Sequence, residues 1–140
     1  MSIAAWLPAA AWAALIFFLS SDSLSAERTR SWFEPILRFA LPSVSPATMA
    51  ILHDVTRELG HVAEYFVFFL LLARGFRRGS AVSRAAIPYY SLAVAALYSL
   101  TDEGHQYFVA SRSASLVDCG FDLLGAGLSA SVSRGIARRR

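Results

Sequence analysis

The sequence has no lysine and a single cysteine, and only 16% of its 140 residues are charged. One cysteine, Cys119, excludes a disulfide scaffold, and so little charge beside so much apolar surface excludes a disordered chain. The missing lysine leaves arginine to supply all 13 basic groups; beside abundant alanine, this fits a GC-rich bacterial genome. Those arginines share no single stripe, so a pI near 9.5 does not define a nucleic-acid surface, and no nucleic-acid partner is expected. What the chain does have is hydrophobicity: 56% of residues are apolar, with a mean hydropathy of +0.47. A water-soluble domain of this size would struggle to cover that much apolar surface.

Four apolar stretches carry it, at residues 3–19, 59–73, 85–100 and 116–132. A bilayer core needs about 20 helical residues, which extension of the second stretch to 56–76 and of the fourth to 113–132 supplies. The expected fold is all-α: one integral membrane domain over 1–140 with four transmembrane helices and a short outer surface helix. Arginine placement sets the orientation. Arg74, Arg77, Arg78 and Arg84 between the second and third spans, and Arg134, Arg138, Arg139 and Arg140 after the fourth, have no acidic residue among them. Both segments are therefore expected on the cytoplasmic side of a bacterial inner membrane, as are both termini. Without a basic leader or a small-x-small cleavage site, the first span reads as a retained helix.

The outer segment 20–55 holds two signals. In RTRSWFEPILRFALP, the apolar Trp32, Phe33, Ile36 and Leu37 recur at helical spacing opposite Arg30, Glu34 and Arg38, which suits a helix lying at the membrane surface despite Pro35. Ser45 before Pro46 is an N-cap and N1 pair, so the second long helix is expected to begin there and stand above the bilayer. Its residues Asp54, Arg57, His61, Glu64 and Tyr65 would then share one face.

Glu64 is the first site candidate, because a charge about 12 Å into a span needs a partner, and His61 and Arg57 lie one and two turns above it. The second is the run 101–127, TDEGHQYFVASRSASLVDCGFDLLGAG, in which Asp102, Glu103, His105 and Gln106 close one helix and Asp118 and Asp122 sit one turn apart on the next. Gly120, Gly125, Ala126 and Gly127 would let helices approach closely. Cys119 reads as a packing residue, and Trp6, Trp12 and Trp32 as interface anchors or packing groups. His53, His61 and His105 fit no standard metal-ligand spacing, so neither metal nor cofactor is expected.

These motifs resemble the VanZ-like family of bacterial membrane proteins, whose pattern is close to DExxQxFxxxRxxSxxDxxxNxxGxxxG. Asp102, Glu103, Gln106, Phe108, Arg112, Ser115 and Asp118 match it, GHVAEYFVFFLLL carries His61, Glu64 and Tyr65, and FFLSSD at 17–22 resembles the family's first-helix ending. Asp122 stands where the family commonly has asparagine. The resemblance implies a four-helix membrane fold and a cell-envelope role, the founding member being associated with resistance to the glycopeptide teicoplanin. It implies no settled reaction.

Two functions follow from the residues. As an enzyme on a lipid-linked or amphiphilic envelope molecule, the chain would use Glu103 or Asp118 as general base and His61 in proton transfer, with Arg112, Gln106, Glu64, Tyr65, Asp102 and Asp122 holding the ligand. As a non-catalytic protein, it would use the same groups as a closed network that fixes helix packing or binds a lipid headgroup or lipoglycopeptide. A small transporter subunit is a further alternative. Membrane lipids and a second copy of the chain are the remaining expected partners. A separation of His61 from Asp118 beyond about 12 Å would remove the shared site.

Overall fold

The computed structural model describes residues 2–21, 26–109 and 115–138, with side chains of 26–28 and 136–138 left aside. Among the described residues, there are five α-helices and no strand: α1 (Leu7–Leu19, after a 3-10 turn at Ile3–Ala5), α2 (Ala26–Ala40), α3 (Pro46–Gly79), α4 (Ile87–Gln106) and α5 (Leu116–Arg138). α3 is the axis. Helices α1, α2, α4 and α5 all pack on it, and α4 also packs on α5.

Local chemistry explains the starts. Ser45 adopts extended backbone (φ −66°, ψ 153°), its hydroxyl accepts the Thr48 N–H at 3.1 Å, and Pro46 opens α3 where no N–H is needed. The 34-residue helix that follows is about 50 Å long, more than a bilayer core requires. The helix expected in RTRSWFEPILRFALP also forms, as α2, continuing through Pro35. It is tied to α3 by a 3.2 Å hydrogen bond shared by Thr29 Oγ1 and His53 Nε2, and by Phe33 set edge-on to the His53 ring.

Among the described residues, length and composition qualify two helices to cross a membrane, α3 and α5. The expectation of four such helices is not met on this measure, for two separate reasons. α1 has 13 residues, its start fixed by Pro8 in the first turn. α4 has 20 residues, but its last turns carry Asp102, Glu103, His105 and Gln106.

The apolar core runs along α3, where Tyr65, Phe68, Phe69, Leu72 and Ala73 meet Ile16 of α1, Ile87 and Ala95 of α4, and Ala126 and Ala130 of α5. Small residues set the spacing. A Cβ at Gly125 would run into the Val62 carbonyl, its carbon only 2.9 Å away, so α5 touches the α3 backbone there. Gly120 and Gly127 face open space and play no such part. At the other end of α3, Trp6 lies flat over Gly75 and Gly79 and edge-on to Phe76, at 4.8 Å between ring centroids. α1 is further held by two side chains on backbone carbonyls, Trp12 donating to Glu64 at 2.9 Å and Tyr98 donating to Ala13 at 2.6 Å. Many large apolar side chains stay exposed, among them Phe17, Phe18, Leu97, Leu100, Leu128 and Val132. So much apolar surface marks a face made for something other than water.

Candidate functional site

The polar groups gather where α3, α4 and α5 meet, at the end of α3 nearer its Ser45 cap. Asp122 is wholly buried on α5. One of its oxygens lies 3.0 Å from His61 Nδ1, and the other accepts the Ser99 hydroxyl at 2.7 Å. With Asp122 as the acceptor, Nδ1 carries a proton, and Nε2 is the second edge of the ring. That edge lies 3.8 Å from Asp118 Oδ2, and Arg57 Nη2 stands 3.7 Å from the same oxygen. Asp118 and Asp122, one helical turn apart, therefore bracket the imidazole.

His61 and Asp118, whose separation decides whether a shared site exists, are thus in contact range. Arg57 and His61 turn their charges to α5, so the ladder expected within α3 becomes a bond between helices. Glu64 lies within electrostatic reach of His61.

A second polar knot joins α1 to α4. Asp102 Oδ2 accepts the Ser20 hydroxyl at 2.6 Å and the Gln106 amide at 3.1 Å, all three residues being buried. Next to it, Glu103 Oε2 accepts the Ser115 backbone N–H at 2.7 Å, which fixes the approach to α5. Glu103 lies beyond the apolar run 85–100. Burial pushes its carboxyl above the usual range, while the Ser115 N–H favours the charged form.

Beside His61 opens a cleft of about 380 Å³ between the end of α1, α2 and α3. Leu19, Trp32, Phe33 and Ile36 form its apolar walls, and Arg57, His61 and Glu64 line its α3 side. A chamber with greasy walls and a few convergent polar groups has the composition of a ligand site.

Of the residues singled out from the sequence, His61, Asp118 and Asp122 come together; His61 and Glu64 line the cleft, and the two aspartates meet His61 from α5 without lining it. Asp102, Glu103 and Gln106 stand apart from its lining, each engaged in holding helices. Tyr65 is fully buried in the apolar core, edge-on to Phe68, rather than on the cleft. Arg112 lies outside the described residues. The three histidines occupy three different surroundings, His53 under α2, His61 between the aspartates and His105 against Phe17 at 4.3 Å. Sequence reasoning missed Ser20 and Ser99 as partners. A signal for Ser99 existed: Ser91, Ala95 and Ser99 recur every four residues on α4, and all three are buried.

Fold and site together define an all-helical protein with a buried acid–histidine network beside an apolar-walled cleft. The family model described as VanZ/LLP1 matches residues 5–137, nearly the whole chain, and the chain belongs to that family. Neither a curated protein nor a solved structure matches it.

Proposed function

We propose that this is a four-span protein of the bacterial inner membrane, both termini cytoplasmic, whose outward-facing cleft binds a lipid-linked or amphiphilic envelope molecule. The observation that carries the reading is the cleft itself. Its apolar walls suit an acyl or prenyl chain, and Arg57 and His61 suit the phosphate or carboxylate of a headgroup. Support for the spans comes from α3 and α5, from the apolar side chains exposed on α1 and α4, and from the eight arginines unaccompanied by acid. Teicoplanin, an amphiphile linked to the family by its founding member, belongs among the candidate ligands.

Trp32 reports on the cleft directly. Titration of the detergent-purified protein with a polyprenyl phosphate or with teicoplanin is expected to quench fluorescence saturably, and Trp32→Phe is expected to remove that change. No saturable quenching by either amphiphile would overturn the binding function. A C-terminal fluorescent fusion that matures only in the cytoplasm is expected to glow; a dark fusion at normal abundance would reverse the orientation.

A second reading, in which the bound molecule is also transformed, has one observation behind it. His61 lines the cleft while its ring is oriented by two carboxylates, Asp122 at Nδ1 and Asp118 facing Nε2, which suits it to proton transfer. Glu103, engaged with Ser115, then acts in positioning α5 and not as the base. His61→Gln is expected to weaken amphiphile binding and to abolish product formation from a radiolabelled polyprenyl-linked substrate even at saturating substrate; turnover at saturation surviving in that variant would sink the chemistry while leaving the binding function intact.

A further inference from the structure

A second groove runs along the α3–α5 seam, on a face of α3 separate from the cleft. It encloses about 510 Å³, within the roughly 300–1,000 Å³ typical of ligand sites. Leu59 and Val62 of α3 and Phe121, Leu124 and Leu128 of α5 make it apolar. Two carboxylates, Asp54 and Glu58, stand one helical turn apart on its α3 side. Glu58 Oε2 is shielded from solvent and has no hydrogen-bond partner among the described residues. Asp54 is mostly exposed, and the ion pair described for it is with the His53 imidazole at 3.5 Å. The nearest guanidinium, Arg57, directs Nη2 to Asp118.

Charge selects the occupant. A second copy docked groove to groove would present the same patch to itself and crowd four carboxylates into one poorly solvated seam. A purely anionic lipid would set its phosphate against the same two acids. An ammonium would meet both of them, and the chain below it would meet the leucines, valine and phenylalanine.

We propose that the α3–α5 groove is a binding site for a phospholipid with a primary ammonium in its headgroup, the ammonium held by Asp54 and Glu58 and an acyl chain laid along Leu59, Val62, Phe121, Leu124 and Leu128. This rests on the membrane-spanning reading above and is independent of what the cleft binds. It gives the outer end of α3 a lipid of defined headgroup on one face and a ligand cleft on another.

Native mass spectrometry of the protein released from vesicles of equimolar phosphatidylethanolamine and phosphatidylglycerol tests it. Wild type is expected to retain phosphatidylethanolamine in excess. Glu58→Gln, nearly the same shape, should reduce that excess about tenfold, as loss of one charge-assisted hydrogen bond implies, with thermal stability unchanged. Glu58→Arg should reverse the preference toward phosphatidylglycerol, and Leu124→Trp should displace both lipids by filling the groove. Equal retention of the two lipids by wild type, or an excess untouched by Glu58→Gln, would overturn the site. So would a wild-type dimer mass lost on Leu124→Trp, which would assign the groove to a second copy. A chain that dissolves without detergent and carries no lipid would bring down the membrane reading itself, a result separable from loss of headgroup preference.

Discussion

The two ends of α3 are held together by opposite means. Toward Gly79, helices meet through shape: the Trp6 ring on two glycines, Phe76 against that ring, and Phe69 and Leu72 packed without polar partners. Toward Ser45, they meet through hydrogen bonds, with Ser20 on Asp102, Ser99 and His61 on Asp122, and Ser115 on Glu103. A protein needing only rigidity has no reason to prefer the second method, since buried polar groups are costly unless every one is satisfied. The difference supports seeking the proposed function at the polar end. Among the described residues, buried carboxylates stand where a cleft opens beside them, whereas the Gly79 end has none and carries instead the Arg74 hydrogen bond to the Ala5 carbonyl at 3.1 Å.

The contrast can be broken experimentally, and the largest effect should come at the joint between the two ends. Gly125→Val drives side-chain atoms into the Val62 carbonyl, which belongs to backbone and cannot swing aside. A loss of at least about 3 kcal/mol is expected, read as disappearance of folded protein from the membrane fraction. Asp122→Ala comes next, about 3–5 kcal/mol by thermal unfolding in detergent, because it strands His61 and Ser99 together; Asp122→Asn, still an acceptor, should recover most of it. At the other end, Gly79→Ala pushes a methyl to 2.5 Å from Trp6 Nε1, for about 1–3 kcal/mol, and a smaller ring in Trp6→Phe should restore stability. Rescue by shape at the polar end, or rescue by an acceptor at the apolar end, would erase the distinction. The smallest effect belongs to Arg38→Ala, whose pairing with Glu34 on α2 is solvent-exposed and contributes about 0.5 kcal/mol or less.

Periodicity and capping made much of this visible in the sequence. Ser45–Pro46 marks the start of α3, the spacing of Trp32, Phe33 and Ile36 marks α2, and Arg57 and His61 stand on the face that meets Asp118. What the sequence does not carry is the partner across space. Ser20 and Asp102 lie 82 residues apart, and only the folded arrangement of α1 against α4 joins them. Tyr65 follows His61 by four residues, close enough in angle to be assigned the same polar face, yet the rotation of about 40° is sufficient to send it into the core. The Glu103 carboxylate accepts a backbone N–H contributed by a residue 12 positions away, a contact that leaves no mark in composition. The four spans were counted from hydropathy, which registers neither the late start of α1, with Pro8 in its first turn, nor how far the helix of α4 continues into its acidic end.

The shortness of α1 has a consequence for the lipid around it. Thirteen residues rise about 20 Å, against a hydrocarbon core of about 30 Å, and a bilayer meets so short a helix by thinning beside it. In the proposed four-span arrangement, the dimple would form at Leu19 and Ser20, which line the cleft. Headgroups next to α1 would then sink toward the depth of His61, and an amphiphile could pass from the leaflet into the chamber sideways, without being lifted out of the membrane. Two added leucines in α1 would fill the dimple, and the rate of Trp32 quenching by a polyprenyl phosphate should fall; an unchanged rate would show that entry comes from the aqueous side.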